Sequence, residues 1–495
     1  MTSVLAAPSV GRALDDAPRS RFHLRAVVVS GAGFFTDAYD LFVISTVATL
    51  VTQQWQLSTL EKSWVTGSAI LGAFAGAVLL GRIADRLGRK SVYALVAAIM
   101  IVGALLSAFA TDVAWLVAAR FILGLGIGGD YPVSAVLMSE YANRDDRGRL
   151  VGLVFSMQAL GLVVGPLVAL TFLSSGVSHD ITWRLLLGLG AVPAATVLWL
   201  RAKMPESPRF EAGVRGNHAK AAAQLNAYSG GVVAAGCEEL GASTASIETG
   251  ATPGSGLRQF LGNRRMLRLL LGTAGSWLLF DYAYYGNTLS LPTILKKVAP
   301  TASIDQQLLL TLAIFLVCAV PGYLLAVAFM DRIGHRRLQL IGFSVMAAAF
   351  LVLGAVPTLT ANVAPFMAIF GLSYLFIEFG PNTTTFVLPS ELFPLRARTT
   401  GHGIAAGVGK LGAFIGVFLV PALQDSIGLR GMLLVAAAAA AVGLATTSLL
   451  PEPARRSLDD VAGDAAPVPL PVTGLGLGSS HEIEDREVGA PALSR

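Results

Sequence analysis

Several ionisable side chains fall inside long apolar stretches of this sequence, among them Asp37, Asp40, Arg120, Asp130, Asp281, Glu378 and Lys410. A charge at mid-bilayer costs about 2.5–3.5 kcal/mol on insertion scales, so such residues are functional candidates by default. Their neighbours suggest the chemistry. In SWLLFDYAYYGN (276–287), Trp277, Asp281 and Tyr285 recur every four residues and share one helix face. In EFGPNTTTF (378–386), Glu378 and Asn382 flank a Gly-Pro break that frees backbone groups, tolerable only where protein or water meets them. AAGVGKLGAF (405–414) sets a single cation, Lys410, among small residues, and Gln158 precedes a second Gly-Pro pair in GLVVGP (161–166). One buried cation among amide and hydroxyl donors suits a small anion. Carboxylates held out of water can load and release protons. Asp281 would accept a hydrogen bond from an anion that itself carries a proton, as dihydrogen phosphate does and sulfate does not.

The chain that must position these groups has 495 residues, 54% hydrophobic and 14% charged, against about 25% charged in soluble domains. Its mean hydropathy is +0.66. Twelve apolar runs are long enough to cross a bilayer: 24–51, 63–82, 91–110, 113–141, 150–174, 184–203, 267–295, 306–330, 338–357, 362–392, 400–423 and 428–450. The expected fold is an all-α integral membrane protein. Segment 204–264 is polar, and the tail from Pro451 onward is read as disordered. Cys237 and Cys318 lie far apart and the six histidines form no ligand cluster, so neither a disulfide framework nor a metal site is expected. The first 22 residues hold no apolar signal-peptide core. No nucleophile elbow or strand-borne phosphate loop is present, so neither an enzyme nor a cofactor is expected, and nothing points to nucleic acid.

Positive charge sorts the loops. DRLGRK (85–90), NRDDRGR (143–149), the central segment, DRIGHRR (331–337), LRAR (395–398) and EPARR (452–456) fall on one side. The positive-inside rule makes that side cytoplasmic, with both termini there. The loops also repeat: Asp85 and Asp331 are 246 residues apart, while Glu140 and Glu391, and Arg147 and Arg398, are each 251 apart. Duplicated halves are a common construction of secondary transporters. The expected organisation is a cytoplasmic segment 1–22, six-helix bundles 23–204 and 266–450, a cytoplasmic loop 205–265 and a tail 451–495.

GLGIGGDYPVSA (124–135) fits GxGxxG, but it lies deep in the fourth run with no strand before it, as a dinucleotide loop requires. Small residues let membrane helices approach closely. The glycines are expected to thin the helix so that Asp130 and Tyr131 face a central cavity.

GRIADRLGRK (81–90), PSELFPLRAR (389–398) and PESPRF (205–210) resemble the major facilitator superfamily. Within it, GFFTDAYDLFVI (33–44), GLGIGGDYPVSAVLMSE (124–140), FGPNTTTFVLPSELFP (379–394) and GKLGA (409–413) resemble the phosphate:proton symporters. The resemblance implies twelve helices in two bundles, a cell-membrane location, and inorganic phosphate and protons as the transported partners, with a monomer in lipid plausible. It implies phosphate binding by Tyr131, Gln158, Trp277, Asp281, Tyr285, Asn382 and Lys410. It places Asp130 and the aspartates of the first run on a proton path, with Arg120 paired to Asp37 or Asp40. Two positions depart from the family pattern: Val96 stands where a glutamate is usual, and Glu378 where asparagine is. Glu378 is therefore expected to carry a proton. In alternating access, Asp85 with Arg89 and Asp331 with Arg336, and Glu140 and Glu391 against the arginines of the loops that follow them, Arg147 and Arg398 included, would latch the cytoplasmic side. Competing readings are a symporter of another small anion or organic acid, and a nutrient receptor that does not transport.

Overall fold

The computed structural model describes residues 10–229 and 262–462, and all twelve apolar runs fold as helix. In chain order the helices are α1 (Val10–Asp15), α2 (Arg21–Trp55), α3 (Thr59–Leu87), α4 (Arg89–Ala108), α5 (Val113–Tyr141), α6 (Arg147–Ser156), α7 (Gln158–Ser174), α8 (His179–Leu189), α9 (Ala191–Ala202), α10 (Pro208–Gly213) and α11 (His218–Ser229). There follow α12 (Arg264–Leu289), α13 (Leu291–Val298), α14 (Ile304–Ile314), α15 (Val320–Ile333), α16 (His335–Ala355), α17 (Val363–Ile377), α18 (Thr383–Leu392), α19 (Arg398–Ser426), α20 (Gly428–Thr447) and α21 (Leu458–Ala462). Among the described residues, eleven segments are long and apolar enough to cross a membrane. The remaining run, the seventh, is α12, where Trp277, Asp281, three tyrosines and Asn287 replace apolar residues. Large apolar side chains such as Leu79, Val102, Leu324 and Val442 stay exposed on the outer faces, as lipid-facing positions do.

Glycine knits the interior. Gly124 and Gly128 of α5 lie against the carbonyls of Ala69 and Ala73 in α3, and Gly72 and Gly76 of α3 against those of Phe121 and Leu125. The GxGxxG stretch is thus a packing surface. Gly412 and Gly416 of α19 repeat the device against Leu278 and Tyr282 of α12.

Both loop repeats turn on a glycine in the same backbone conformation, φ +100° at Gly88 and +102° at Gly334, which a side chain would strain. The repeat in sequence is a repeat in structure.

Two expectations need correction. The fifth run is interrupted at Met157, between α6 and α7, and not at Gly165-Pro166. The first residues of the tail are ordered: 451–462 carries α21 and is tied to the rest of the protein. Residues Val10–Asp15 of the N-terminal segment form α1. Most of the central segment, 230–261, and the tail beyond 462 lie outside the described residues.

Candidate functional site

Lys410 of α19 and Asp281 of α12 form the centre of the site. Lys410 Nζ donates to Asp281 Oδ2 at 2.9 Å and to the Tyr285 hydroxyl at 3.0 Å. The ammonium also lies 4.6 Å from the centroid of the Tyr131 ring and 4.2 Å from that of Tyr285, an arrangement that stabilises a desolvated cation. Lys410 is 2% exposed and Asp281 1%. Trp277 packs beside Tyr131 and edge-on to His402, and Gly409 leaves room for its indole. The four-residue spacing therefore does set Trp277, Asp281 and Tyr285 on one face.

A chain of hydrogen bonds leads away from this pair. Gln158 Nε2 donates to the Tyr131 hydroxyl at 2.9 Å, the Tyr323 hydroxyl donates to Gln158 Oε1 at 3.3 Å, and Asn382 Nδ2 donates to Tyr323 at 2.8 Å. Asn382 also donates to the Glu378 carboxylate. Glu378–Asn382 forms a π-helical turn around the Gly-Pro break, which widens the helix locally. The carbonyls loosened there are met by the following threonines: Thr383 donates to Glu378 O, Thr384 to Gly380 O and Thr385 to Pro381 O, at 2.7, 2.9 and 2.7 Å. All seven residues expected to bind the anion thus come together, with Glu378 at the end of the chain.

The acidic groups of the first half divide differently from expectation. Asp130 turns away from Tyr131 and pairs with Arg201 of α9 at 2.6 Å, helped by Ser134 at 2.9 Å. Arg201 also lies over the Tyr93 ring. Asp130 is therefore part of a buried pair inside the first half and does not face the centre. Arg120 resolves to Asp40: its Nη2 donates to the Asp40 carbonyl at 2.7 Å, and the Asp40 carboxylate shares its field. Asp37 has no hydrogen bond to its carboxylate among the described residues, although it is fully buried. It feels the negative charges of Asp130 and Asp40 and the positive charges of Arg201 and Lys410. Val96, one of the two departures from the family pattern, packs its side chain against Gly129.

At one end of the bundle the loop repeats interlock. Asp85 accepts from the backbone N–H groups of Thr399 and Thr400 at 3.3 and 2.6 Å, so it caps α19, and a carboxylate is favoured at a helix N-terminus. Asp331 caps α6 in the same way, accepting from the Arg149 N–H at 2.8 Å. Arg89 bridges Asp85 at 3.2 Å and Glu140 at 3.1 Å. In the second repeat the bridge is His335, 3.2 Å from Asp331 and 3.3 Å from Glu391. Arg336 does not pair with Asp331: its guanidinium donates to the Ser448 carbonyl at 3.1 Å. The arginines also cross over. Glu140 meets Arg398 at 3.7 Å, and Arg147 lies in the field of Glu391. Ser139 donates to the carbonyl of its own counterpart, Ser390, at 3.2 Å. Glu206 of the PESPRF stretch accepts from the Lys90 N–H at 3.2 Å; burial pushes its carboxyl up, against the N–H donors that pull it down. Asp15 of α1 holds Arg147 and Arg209, each at 2.8 Å, and accepts from Ser457 at 2.7 Å. Residues Asp15 and Ser457 are thereby drawn into the clasp.

The comparisons with known proteins agree with this architecture. A family model described as "Sugar (and other) transporter" matches residues 25–464. Inorganic phosphate transporter 1-2 of Oryza sativa subsp. japonica is 37% identical, with 91% of this chain and 95% of that protein covered. Low affinity inorganic phosphate transporter 4 of Petunia hybrida is 35% identical, covering 91% and 94%. The proton:xylose symporter XylE of E. coli superposes with a TM-score of 0.76 at 20% identity, over 90% of this chain and 99% of that one.

The chain belongs to the major facilitator superfamily and, within it, to the inorganic phosphate transporter family.

Its fold is the twelve-helix fold of that superfamily, and the family is one of transporters, not enzymes. Within this member, the sequence reading missed four residues that the structure places in the network. Tyr323 is a lone tyrosine in an apolar run, and Arg201 sits near a run's end, where it reads as a loop cation. His335 stands four residues after Asp331, as Arg89 does after Asp85, so the 246-residue offset points to it. Asp15 precedes every run and gave no signal.

Proposed function

We propose that this protein is a secondary transporter that carries inorganic phosphate together with protons by alternating access. It would sit as a monomer in the lipid of a cell membrane, with the clasp and both chain ends in the cytoplasm. Residues 23–204 and 266–450 form the two moving halves, joined by a cytoplasmic segment, 205–265. The relatives named as phosphate transporters support the substrate.

The observation that carries the reading is the buried Lys410–Asp281 pair beneath Tyr131 and Tyr285. A neutral sugar has no use for a buried ammonium, whereas an anion does. The pair is neutral as a unit, so an arriving anion leaves the site one charge too negative in a medium that tolerates this poorly. A proton on a nearby carboxylate restores the balance. Anion and proton then cross together because neither is stable there alone. Asp37 suits that role: its buried carboxylate has no hydrogen bond among the described residues and lies in the field of Lys410, whereas Asp130 is ion-paired with Arg201. Glu378 is a second proton carrier. The amides of Asn382 and Gln158 donate and accept hydrogen bonds but do not pass protons on, so the chain from Glu378 to Tyr131 transmits orientation. With the clasp closed as described, the protein is shut toward the cytoplasm. Opening requires the Asp85 and Asp331 caps to release together.

Radiolabelled phosphate uptake into proteoliposomes under an inward proton gradient tests this reading, with sulfate and simple organic acids as competitors. Gradient-driven uptake indifferent to sulfate supports it. Uptake of an organic acid but not of phosphate by folded protein would move the substrate to the organic anions.

A further inference from the structure

Opposite the clasp, a cavity of 320 Å³ opens between α2, α3, the start of α13 and the end of α19. It lies apart from the Lys410–Asp281 centre and shares none of that centre's residues. Lys62 of α3 lines it half-buried and makes no ion pair among the described residues. Lys296 of α13 adds a second positive charge to the surroundings of Lys62. Ser63 and Thr293 contribute hydroxyl groups to the wall. Gln424 of α19 is the telling residue. It lines the cavity at only 4% exposure, and neither its amide nitrogen nor its amide oxygen has a hydrogen-bond partner. A buried amide left unpaired is costly, so the site is built for a ligand that both donates and accepts. Asp425 stands exposed on the rim, where solvent screens it.

We infer that this cavity is a second binding site, for a small protonated oxyanion, on the outer face of the protein. Lys62 supplies the charge, and Gln424 donates to one oxygen of the ligand while accepting from its hydroxyl. An oxyanion without a hydroxyl leaves the Gln424 carbonyl unpaired, so dihydrogen phosphate fits and sulfate does not. The cavity repeats, nearer the surface, the cation, amide and carboxylate set of the central site. It would gather the anion before the inner site receives it. Naming phosphate as the occupant rests on the transport reading; the site itself rests on Lys62 and Gln424.

Equilibrium binding of radiolabelled inorganic phosphate to the purified full-length chain tests the inference, in an Asp281→Asn/Lys410→Gln background that disables the central site. One phosphate should still bind per chain. Lys62→Gln should weaken that binding tenfold or more. Gln424→Leu should weaken it as well, while raising thermal stability because no unpaired amide remains. Failure of the folded background variant to bind phosphate overturns the inference, as does binding that neither substitution alters. This measurement needs no transport, so absence of phosphate uptake by the wild type would defeat the transport reading and leave this result standing on its own.

Discussion

Arg89 and His335 hold the same place in the two loop repeats, 246 residues apart. Each bridges the aspartate four residues before it to a glutamate of another helix: Asp85 and Glu140 for Arg89, Asp331 and Glu391 for His335, all within 3.3 Å. Arginine is always charged and can serve both carboxylates at once. Imidazole can donate to both only when protonated. Arg147 also faces Glu391 from the opposite half and competes for it. One half of the clasp is thus permanent, and the other rests on a protonated imidazole: burial opposes its charge, but Glu391 and Asp331 hold its pKa up at about 10. His335→Arg should strengthen the clasp and slow turnover, by roughly tenfold if the closed state gains about 1.4 kcal/mol, with KM little changed. His335→Gln should loosen it. Uptake kinetics of both variants check this, and equal turnover in all three proteins would remove His335 from the clasp.

Asp85 should behave as a positioning residue for α19. Asp85→Asn keeps an oxygen for the Thr400 N–H but loses the charge that favours a helix N-terminus and pairs with Arg89. Turnover should fall several-fold while equilibrium phosphate binding stays within about a factor of two, since the cap lies far from the anion site. Helix-terminus charges are worth about 0.3–1 kcal/mol when exposed and up to about 2 when buried.

Asp37 is a buried carboxylate with no hydrogen bond among the described residues, in the field of Lys410. Asp37→Asn should bind phosphate at least as well as the wild type, because a repelling charge is gone. It should lose the rise in uptake that an inward proton gradient produces. Glu378→Gln should flatten the pH dependence of uptake while leaving phosphate affinity near normal. Uptake against external pH, run for both variants, separates the two carriers. An unchanged profile for Glu378→Gln would make that residue a neutral hydrogen-bonding partner of Asn382 and nothing more.

Removing one partner of a buried pair costs about 3–5 kcal/mol. Lys410→Met should therefore destabilise the protein and abolish uptake. Lys410→Met/Asp281→Leu should recover most of the stability and none of the transport. Thermal unfolding in detergent beside uptake in vesicles reads the two effects separately.

Gly128 meets the Ala73 carbonyl with no room for a side chain. Gly128→Val forces α3 and α5 apart and should cost at least the 1–3 kcal/mol typical of overpacking, seen as a lower unfolding temperature. Gly165, with no neighbour closer than 3.8 Å to an added Cβ, should accept alanine with little loss.

The fold was legible because a bilayer imposes a length and an apolarity that each run declares separately. The anion site was legible for a second reason: Trp277, Asp281 and Tyr285 follow helical spacing, and Lys410 is conspicuous among small residues. Contacts between helices were harder to see. Asp130 and Tyr131 are adjacent, yet a helix turns about 100° per residue, and that rotation sends one to Arg201 and the other to Lys410. Arg336 drew attention by its charge, while the i,i+4 geometry of the repeat selected His335. Tyr323, Arg201 and Asp15 find their partners 59 residues or more away in sequence, and no local pattern announces such pairings.

The central claim is that phosphate and protons cross as one charge-balanced unit at the Asp281–Lys410 pair. The most direct test loads proteoliposomes with a pH-sensitive dye and imposes an inward phosphate gradient with no initial proton gradient. Coupled symport predicts that the lumen acidifies as phosphate enters, and that both signals vanish together in Asp281→Asn. Phosphate entry into wild-type vesicles without acidification, beyond what the phosphate itself releases, would contradict it.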